Sequence, residues 1–259
     1  MKTIKVGKDN AIFQQIIVLK NNRIKKHKWK NFFVEGVQNI KDALSNDWEI
    51  EAFIYSEEIK LSSRAKSILN KADYNYVLTQ GLMNKLDVSE ILVVIKMKEK
   101  YNVKYSSNPI ILLIDRLSKK ENLGTIIRSA DALNVEHIYY FGHSVDVYDH
   151  TIITAIMGSF FKMPLTFISS NSEFDNLVKI FKSKYSNFNV VATLLQTNNR
   201  SQDYDFCNPV LLLIGNETDG LCRYYNEKAD DAVKIKMRTG IDSLNIACAT
   251  TACLYGINR

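Results

Sequence analysis

Two runs of five consecutive aliphatic residues, Ile110–Ile114 and Val210–Ile214, constrain the fold of this chain more than any other feature. Uninterrupted apolar runs of this length are typical of strands that are buried on both faces of a parallel sheet. Further short apolar runs follow at HIYYFG, PLTFIS and NVVATLL, and stretches with helical periodicity separate them. The pattern predicts an α/β fold, with a doubly wound domain on a parallel sheet from residue 109 to residue 259.

A second, smaller α/β domain is predicted before it. Residues 10–30 have apolar side chains at helical spacing and end in the basic stretch KNNRIKKHKWK. After them, apolar strands such as Phe32–Gly36 alternate with helical segments such as Val37–Leu44 as far as ILVVIKM. The polar stretch 101–108 has no periodicity and predicts a linker. We therefore expect one domain at 1–100 with a basic N-terminal helix, a linker at 101–108, and a second domain at 109–259.

Positive charge is concentrated in the N-terminal part of the chain. Residues 1–108 carry 19 Lys and Arg against 12 Asp and Glu, whereas residues 109–259 carry 15 against 16. The excess is densest in one short segment, which contains Arg23, Lys25, Lys26, Lys28 and Lys30. Such a cluster suits a polyanion, because each neutralised phosphate releases condensed counterions. The alternative is an ordinary solvated helix face.

The chain lacks the patterns of a membrane, exported or metal-binding protein. Its longest aliphatic runs have five residues, against the roughly twenty that a membrane-spanning helix needs. The N-terminal segment has no apolar core of signal-peptide length, so we expect a cytoplasmic protein. The four cysteines form no CxxC pair, and the four histidines do not join them at metal-ligand spacing. We expect reduced thiols and no metal.

Polar segments that follow apolar strands are the candidates for chemistry, because ligands of parallel α/β sheets bind beyond the carboxyl ends of the strands. Three such segments are Glu121–Leu133, Leu211–Leu221 and Val233–Ile257. Taken singly, Asn122 and Ser243 have an ordinary explanation as helix caps, and Asp219 with Gly220 as a turn. Glu217 is harder to explain in this way, because a carboxylate directly after a buried strand costs free energy unless it is paired.

Together the three segments resemble the SpoU/TrmH family of S-adenosylmethionine-dependent RNA 2′-O-ribose methyltransferases, within the SPOUT superfamily. The first family motif, N-x-G-x-x-x-R-x-A, is matched by Asn122, Gly124, Arg128 and Ala130. The second, G-N-E-x-x-G-L after an apolar strand, is matched by Gly215, Asn216, Glu217, Gly220 and Leu221. The third is matched by Ile235, Met237, Ser243, Leu244 and Asn245. The basic lead-in and FFVEGVQNIKDAL resemble the ribosomal-protein-like substrate-binding domain of the family's ribosomal-RNA branch.

The resemblance implies a trefoil-knotted, Rossmann-like C-terminal domain that binds S-adenosyl-L-methionine, without a metal. Carried over by position, the cofactor-binding residues are Gly215, Asn216, Gly220, Ile235, Met237, Ser243 and Leu244. The residues carried over as catalytic are Asn122, Arg128, Glu217, Ser243 and Asn245. The family also implies a homodimer whose active site is completed across the interface, and the apolar segment Ser243–Ile257 would supply a partner face.

The implied reaction is attack of a ribose 2′-hydroxyl on the methyl group of a sulfonium. A guanidinium is always protonated, so we expect Arg128 to bind the neighbouring phosphate and to stabilise the developing oxyanion rather than to take the proton. Arg128 therefore also counts among the RNA-binding residues. The remaining catalytic residues would orient the arginine, the ribose and the cofactor, and Glu217 is the expected partner of Arg128 or of an RNA hydroxyl.

Several functions stay open at this point. Ribosomal RNA is the favoured substrate, because minimal transfer-RNA members of the family often lack the N-terminal domain. A 2′-O-methyltransferase of transfer RNA is the first alternative. Others are a member that binds RNA or the ribosome without catalysis, and one that methylates a base nitrogen. The S-L-N motif and Arg128 favour transfer to ribose.

Overall fold

The structure of the protein is a computed structural model, which describes residues 2–69, 72–206, 209–241 and 243–258. The chain forms two compact units. The first comprises Met1–Glu99 and Asp146–Lys162, and the second Lys100–Val145 and Met163–Arg259. Both units combine helices with a sheet, which confirms the predicted α/β class.

The chain passes from the first unit to the second, returns to the first for a short segment and ends in the second. The first unit begins with β1 (Lys2–Lys5), α1 (Ala11–Asn21), α2 (Arg23–Trp29), β2 (Asn31–Glu35), α3 (Val37–Ser45), β3 (Ile50–Ser56), α4 (Ser63–Lys66), β4 (Tyr74–Leu78), α5 (Gln80–Lys85) and β5 (Ile91–Lys96). The second unit begins with β6 (Ile110–Asp115), α6 (Lys120–Ala132) and β7 (Val135–Phe141). The chain returns to the first unit for α7 (His150–Ala155) and α8 (Ser159–Lys162). The second unit ends with β8 (Leu165–Ile168), α9 (Asn171–Lys184), β9 (Asn189–Thr193), β10 (Val210–Ile214), α10 (Arg223–Lys228), β11 (Asp231–Val233) and α11 (Ile246–Ile257).

The first unit is built on a mixed sheet with the strand order β1-β4-β3-β5-β2. Apolar side chains of α1, such as Phe13 and Ile16, pack with Phe33 of β2 on one face. Phe32, the preceding residue of β2, points to the opposite face of the sheet, since side chains alternate along a strand. There its ring packs against those of Tyr148 and Phe160, at centroid distances of 4.9 and 5.8 Å.

This second face explains how the units differ from the predicted boundaries. Within 109–259, the segment Asp146–Lys162 belongs to the first unit, and the rest forms the second. The segment covers an apolar sheet face that would otherwise meet water, and Trp48 donates its indole N–H to the carbonyl of Phe161 at 2.9 Å. Buried ion pairing of Lys26 with Asp146, at 2.8 Å, adds a polar contact.

The second unit is built on a parallel sheet with the strand order β11-β9-β10-β6-β7-β8, as predicted for the C-terminal domain. β6 and β10 pair at its centre, with Ile110–Ile114 opposite Val210–Ile214 and each of these side chains buried. Phenylalanines of α9 and Tyr225 of α10 pack against one face, while α6 packs against β7 and α11. Because the strands are parallel, their carboxyl ends share one edge. The knot implied by the family stays a prediction.

Helix boundaries differ from the prediction at two asparagines. The helix expected over 10–30 breaks at Asn22, which ends α1 and caps α2 by accepting a hydrogen bond from Lys25 N. The C-terminal helix is capped by Asn245, whose side chain accepts from the backbone N–H groups of Ala247 and Cys248, so the expected cap Ser243 lies before it. Asparagine is among the best N-cap residues, because its short side-chain oxygen reaches those N–H groups.

The sequence predicted reduced thiols and no membrane-spanning helix. Among the described residues, no helix combines the length and the apolar character that crossing a bilayer requires. Cys222, Cys248 and Cys253 are free thiols, and Cys207 lies outside the described residues.

Candidate active site

A cavity of about 560 Å³ lies in the second unit, where the chain leaves the carboxyl ends of parallel strands. Its walls come from the ends of three strands with the residues that follow them, and from the N-terminal end of α11. These residues are 193–195 at β9, 214–218 at β10, 233–235 and 237 at β11, and 243–246 at α11. This is the edge at which α/β sheets bind ligands. The fold thus brings segments that are far apart in sequence around one space.

The loop after β10 is tightly closed, and Gly215 makes the closure possible. A Cβ atom on Gly215 would lie 2.1 Å from Leu221 N and 2.2 Å from the carbonyl carbon of Gly220, so no side chain fits there. Asn216 N donates to the carbonyl of Gly220 at 3.0 Å. Gly220 itself has a φ of +69°, a conformation that favours glycine. The glycines of this loop are therefore required by its geometry, which places Glu217 in the wall of the cavity.

An aspartate–arginine pair at the end of β6 holds the same loop from outside. Asp115 is fully buried and accepts hydrogen bonds from Arg116 Nε at 2.9 Å, Arg116 Nη2 at 3.0 Å and Cys222 N at 2.8 Å. Arg116 also donates to the carbonyl of Gly220 at 3.4 Å and lies 3.6 Å from Asp219. The pair fixes the loop at both its C-terminal end and its turn.

Four polar side chains form a continuous hydrogen-bonded chain beside the cavity. Asn245 Nδ2 donates to Asn122 Oδ1 at 2.9 Å, and Asn122 Nδ2 donates to Glu217 Oε1 at 2.8 Å. The other carboxylate oxygen of Glu217 accepts from Ser118 Oγ at 2.9 Å and from Ser118 N at 3.3 Å. The series Asn245–Asn122–Glu217 thus joins one residue from each of the three motif segments.

These hydrogen bonds keep Glu217 ionised. Partial burial raises the pKa of its carboxyl, but the hydrogen bonds from Asn122 and Ser118 outweigh that effect, and the pKa lies below the usual value for glutamate. An ionised carboxylate with this many donors is a weak proton acceptor. Its arrangement suits it to orient neighbouring groups.

The structure gathers most of the predicted site residues. Every predicted cofactor-binding residue lines the cavity, namely Gly215, Asn216, Gly220, Ile235, Met237, Ser243 and Leu244. Four of the predicted catalytic residues also line it, namely Asn122, Glu217, Ser243 and Asn245. Arg128 is the exception.

Arg128 lies on the exposed surface of α6, away from the cavity of its own chain. It follows Asn122 by six positions, which places the two side chains about 120° apart around the helix axis. Among the described residues, Arg128 forms no side-chain hydrogen bond or ion pair. Within one chain Glu217 does not pair with Arg128, because the carboxylate is bonded to Asn122 and Ser118, and a pairing with Arg128 of a second copy stays a prediction. Asn122 is likewise not a cap, since it lies inside the first turn of α6.

The predicted RNA-binding residues of the first unit differ in their exposure to solvent. Arg23, Lys25, Lys28 and Lys30 are exposed. Lys26 is only 4% exposed, and its ammonium group donates to Asp146 Oδ2 at 2.8 Å and to the carbonyl of Tyr148 at 2.9 Å. Its inclusion among the phosphate-binding residues is wrong, because this charge is already paired inside the unit.

Several residues of the site were missed by the sequence analysis. These residues are Ser118, the pair Asp115–Arg116 and the segment 193–195, and all lie at or just after the carboxyl end of a strand. Their position directly after apolar runs was the signal that could have revealed them. Among the described residues, no group of three or more His, Cys, Asp or Glu is placed to hold a metal ion.

Comparison with known proteins agrees with this geometry. Residues 109–255 match the SpoU rRNA Methylase family, and residues 10–90 match the SpoU L30e-like domain. A 23S rRNA (uridine(2479)-2′-O)-methyltransferase of Streptomyces viridochromogenes is 32% identical over 254 residues, spanning 95% of this chain and 88% of that protein. The 23S rRNA (guanosine(2553)-2′-O)-methyltransferase RlmP of Bacillus subtilis (strain 168) is 26% identical over 256 residues, spanning 93% and 98%.

A solved structure shows the same likeness in three dimensions. The SpoU methyltransferase AviRb from Streptomyces viridochromogenes, crystallised in complex with AdoMet, has a TM-score of 0.88 and 31% sequence identity to this chain. The match covers 96% of this chain and 97% of that one. With a family match over more than half its length and this relative along almost all of it, the chain belongs to the SpoU rRNA methylase family.

Proposed function

We propose that this protein transfers the methyl group of S-adenosylmethionine to a ribose 2′-hydroxyl of ribosomal RNA. The observation that carries the proposal is the convergence of the three motif segments on one cavity, with Asn122, Glu217 and Asn245 joined by hydrogen bonds. The relatives from Streptomyces viridochromogenes and Bacillus subtilis, both described as 2′-O-methyltransferases of 23S rRNA, support ribosomal RNA as the substrate. This substrate also suits the predicted cytoplasmic location.

The cavity has the features that S-adenosylmethionine requires. Its volume of about 560 Å³ lies in the usual range for small-molecule sites. Leu195 and Leu244 line it although they are 61% and 43% exposed, so they leave apolar surface open for an adenine ring. Gly215 and Ile235 would hold the nucleoside through backbone groups beside this surface. When bound, the cofactor supplies an electrophilic methyl group on a positively charged sulfur.

The chain's own polar groups would position the ribose. An asparagine amide has two N–H donors, and Asn122 and Asn245 each use one of them within the hydrogen-bonded series. Among the described residues the second N–H of each has no protein acceptor, and it would donate to an oxygen atom in the cavity. Glu217 and Ser118 fix the amide orientation, which keeps these donors in place before the substrate arrives. Such positioning supplies a large part of the rate gain in a transfer that needs aligned reacting atoms.

The proposal includes a homodimer in which a second copy supplies Arg128. In its own chain Arg128 is exposed and does not line the cavity. If Arg128 binds the phosphate beside the reacting ribose, the arginine must therefore come from a second copy of the chain. The exposed positions of α11 form an apolar stripe of Cys248, Ala252 and Tyr255, spaced four and three residues apart. A stripe with this spacing lies on one helix face and suits contact with a partner.

Methyl transfer from labelled S-adenosylmethionine to unmodified ribosomal RNA tests the proposal. After digestion to nucleosides, mass spectrometry should find the label in a 2′-O-methylnucleoside. Label on a base would indicate a base methyltransferase, label only on transfer RNA a tRNA enzyme, and binding without label a non-catalytic protein. Each of these outcomes would refute the proposal.

The two asparagines that cap the ends of α11 provide a test substitution and its matched control. Asn245→Asp keeps the oxygen that caps α11 but removes the donor to Asn122, so we expect methyl transfer to fall at least tenfold with little change in stability. Asn258→Ala, at the other end of α11, should leave methyl transfer near the wild-type rate.

A further inference from the structure

The helix α2 presents positive charge together with an exposed aromatic ring. The basic face, defined here as Lys25, Lys28, Trp29 and Lys30, is exposed throughout. No Asp or Glu occurs in the sequence between Asp9 and Glu35, so no acidic residue of this segment offsets its charge. Among its lysines, Lys30 pairs with Glu99 in an exposed ion pair, which water screens strongly.

The helix that carries this face is held firmly. Lys26 turns inward and pairs with Asp146, and His27 Nε2 lies 3.2 Å from the other oxygen of the same carboxylate. Asn22 caps the helix by accepting a hydrogen bond from Lys25 N at 3.0 Å. The backbone that carries the basic face is therefore fixed before RNA binds, which lowers the entropy cost of binding.

Trp29 has no role in the core. Of the two tryptophans in the chain, Trp48 is 3% exposed and donates to the carbonyl of Phe161 at 2.9 Å, whereas Trp29 is 36% exposed. Lys25 Nζ lies 5.9 Å from the centroid of the Trp29 ring. A partly exposed indole beside an ammonium group offers a stacking surface next to a phosphate-binding charge.

We propose that Trp29 stacks on an unpaired base of the RNA substrate while Lys25 and Lys28 bind the adjoining phosphates. This inference rests on the proposed function for the presence of RNA. Base–aromatic stacking needs a base whose face is free, and the bases of a continuous duplex are stacked on one another. The basic face thus selects a loop, bulge or single-stranded segment rather than a helix. An acidic protein partner would satisfy the charges but would give no base stacking.

Binding of two RNAs to the full chain tests the inference. The probes are a uridine oligonucleotide of about 12 nucleotides and a duplex of the same length. Trp29→Ala should weaken binding of the single strand by about 5- to 150-fold and leave duplex binding and the salt dependence unchanged. Lys28→Ala, the matched control on the same helix, should lower the log–log salt slope by about 0.7 for the single strand and weaken both RNAs.

Intrinsic fluorescence supplies a second measurement that does not depend on the stability of the alanine variant. With excitation of tryptophan alone, the single strand should quench the emission of wild-type protein, because Trp29 is exposed. It should not quench Trp29→Phe, in which the buried Trp48 is the one tryptophan left. Undiminished binding of the single strand by Trp29→Ala, or an equal loss on the duplex, would overturn the inference. So would the absence of quenching by RNA. If the wild-type protein then still methylates ribosomal RNA, the proposed function stands and only the inference fails.

Discussion

Replacement of Asn122 by Asp tests the hydrogen-bonded series at its centre. The change keeps the shape of the side chain and the oxygen that accepts from Asn245. It replaces the N–H group that donates to Glu217 Oε1 at 2.8 Å with a carboxylate oxygen. Asn122 is buried, so the introduced carboxylate cannot turn fully into water. Two carboxylates would therefore face each other across a hydrogen-bond distance.

The expected cost follows from Coulomb's law. Two unit charges 4 Å apart interact with about 1 kcal/mol in water and about 4 kcal/mol at the effective dielectric of a protein surface. Glu217 is partly exposed, so we expect Asn122→Asp to lower the free energy of unfolding by about 2 kcal/mol at pH 8. Repulsion raises the pKa of the pair, and the native state then binds a proton that the unfolded chain releases. The cost should therefore shrink as the pH falls to 5, where a protonated acid again donates to its neighbour.

Denaturant titrations of wild type, Asn122→Asp and Asn122→Ala at pH 5 and pH 8 measure this effect. The alanine variant loses both hydrogen bonds without adding charge, so its cost should be nearly the same at the two pH values. An equal cost of Asn122→Asp at pH 5 and pH 8 would refute the reasoning, because it would mean that the two side chains do not interact.

Three further changes follow from single contacts. Lys26→Met leaves the buried carboxylate of Asp146 without its ammonium partner and should lower the free energy of unfolding by about 3–5 kcal/mol in denaturant titrations. Burial lowers the pKa of His137 to about 4, so the unfolded chain binds a proton that the native chain does not between pH 6.5 and 4. Stability should fall by up to about 3 kcal/mol as the pH drops through this range, and His137→Gln should remove that part of the pH profile. Gly215→Ala would place a methyl group 2.1 Å from Leu221 N, so calorimetry should show lost S-adenosylmethionine binding together with lower stability.

The central sheet and the cavity were predictable because their causes are local. A strand buried on both faces must be apolar at every position, and Ile110–Ile114 and Val210–Ile214 meet that demand. Parallel strands end at one edge, so the polar segments after them had to lie near each other. The short strands Lys2–Lys5 and Asp231–Val233 were missed, because they lie at sheet edges and carry no apolar run.

Contacts between distant parts of the chain could not be predicted. Trp48 donates to the carbonyl of Phe161, which is 113 residues away in the sequence, and no local sequence pattern predicts that contact. The burial of Lys26 has a similar cause. Because the helix breaks at Asn22, the apolar face of α1 does not set which side of α2 turns inward. Composition showed a basic cluster, but only the structure separates the inward lysine from the exposed ones.

Because Arg128 lies away from the cavity of its own chain, the last prediction concerns which chain supplies this arginine to the proposed active site. Arg128→Ala and Asn245→Asp should each lower methyl transfer at least tenfold as homodimers, even with saturating RNA, since one removes phosphate binding and the other disrupts the hydrogen-bonded series. If a second copy supplies Arg128, a heterodimer of the two variants contains one complete site and one with both defects.

Purified with two different tags, that heterodimer should therefore recover about half of the wild-type turnover. If Arg128 acts within its own chain, each site of the heterodimer carries one defect and no turnover returns. Failure to recover any heterodimer would instead contradict the homodimer itself. Recovery of activity has no explanation by stability alone, because each chain of the heterodimer keeps its own substitution.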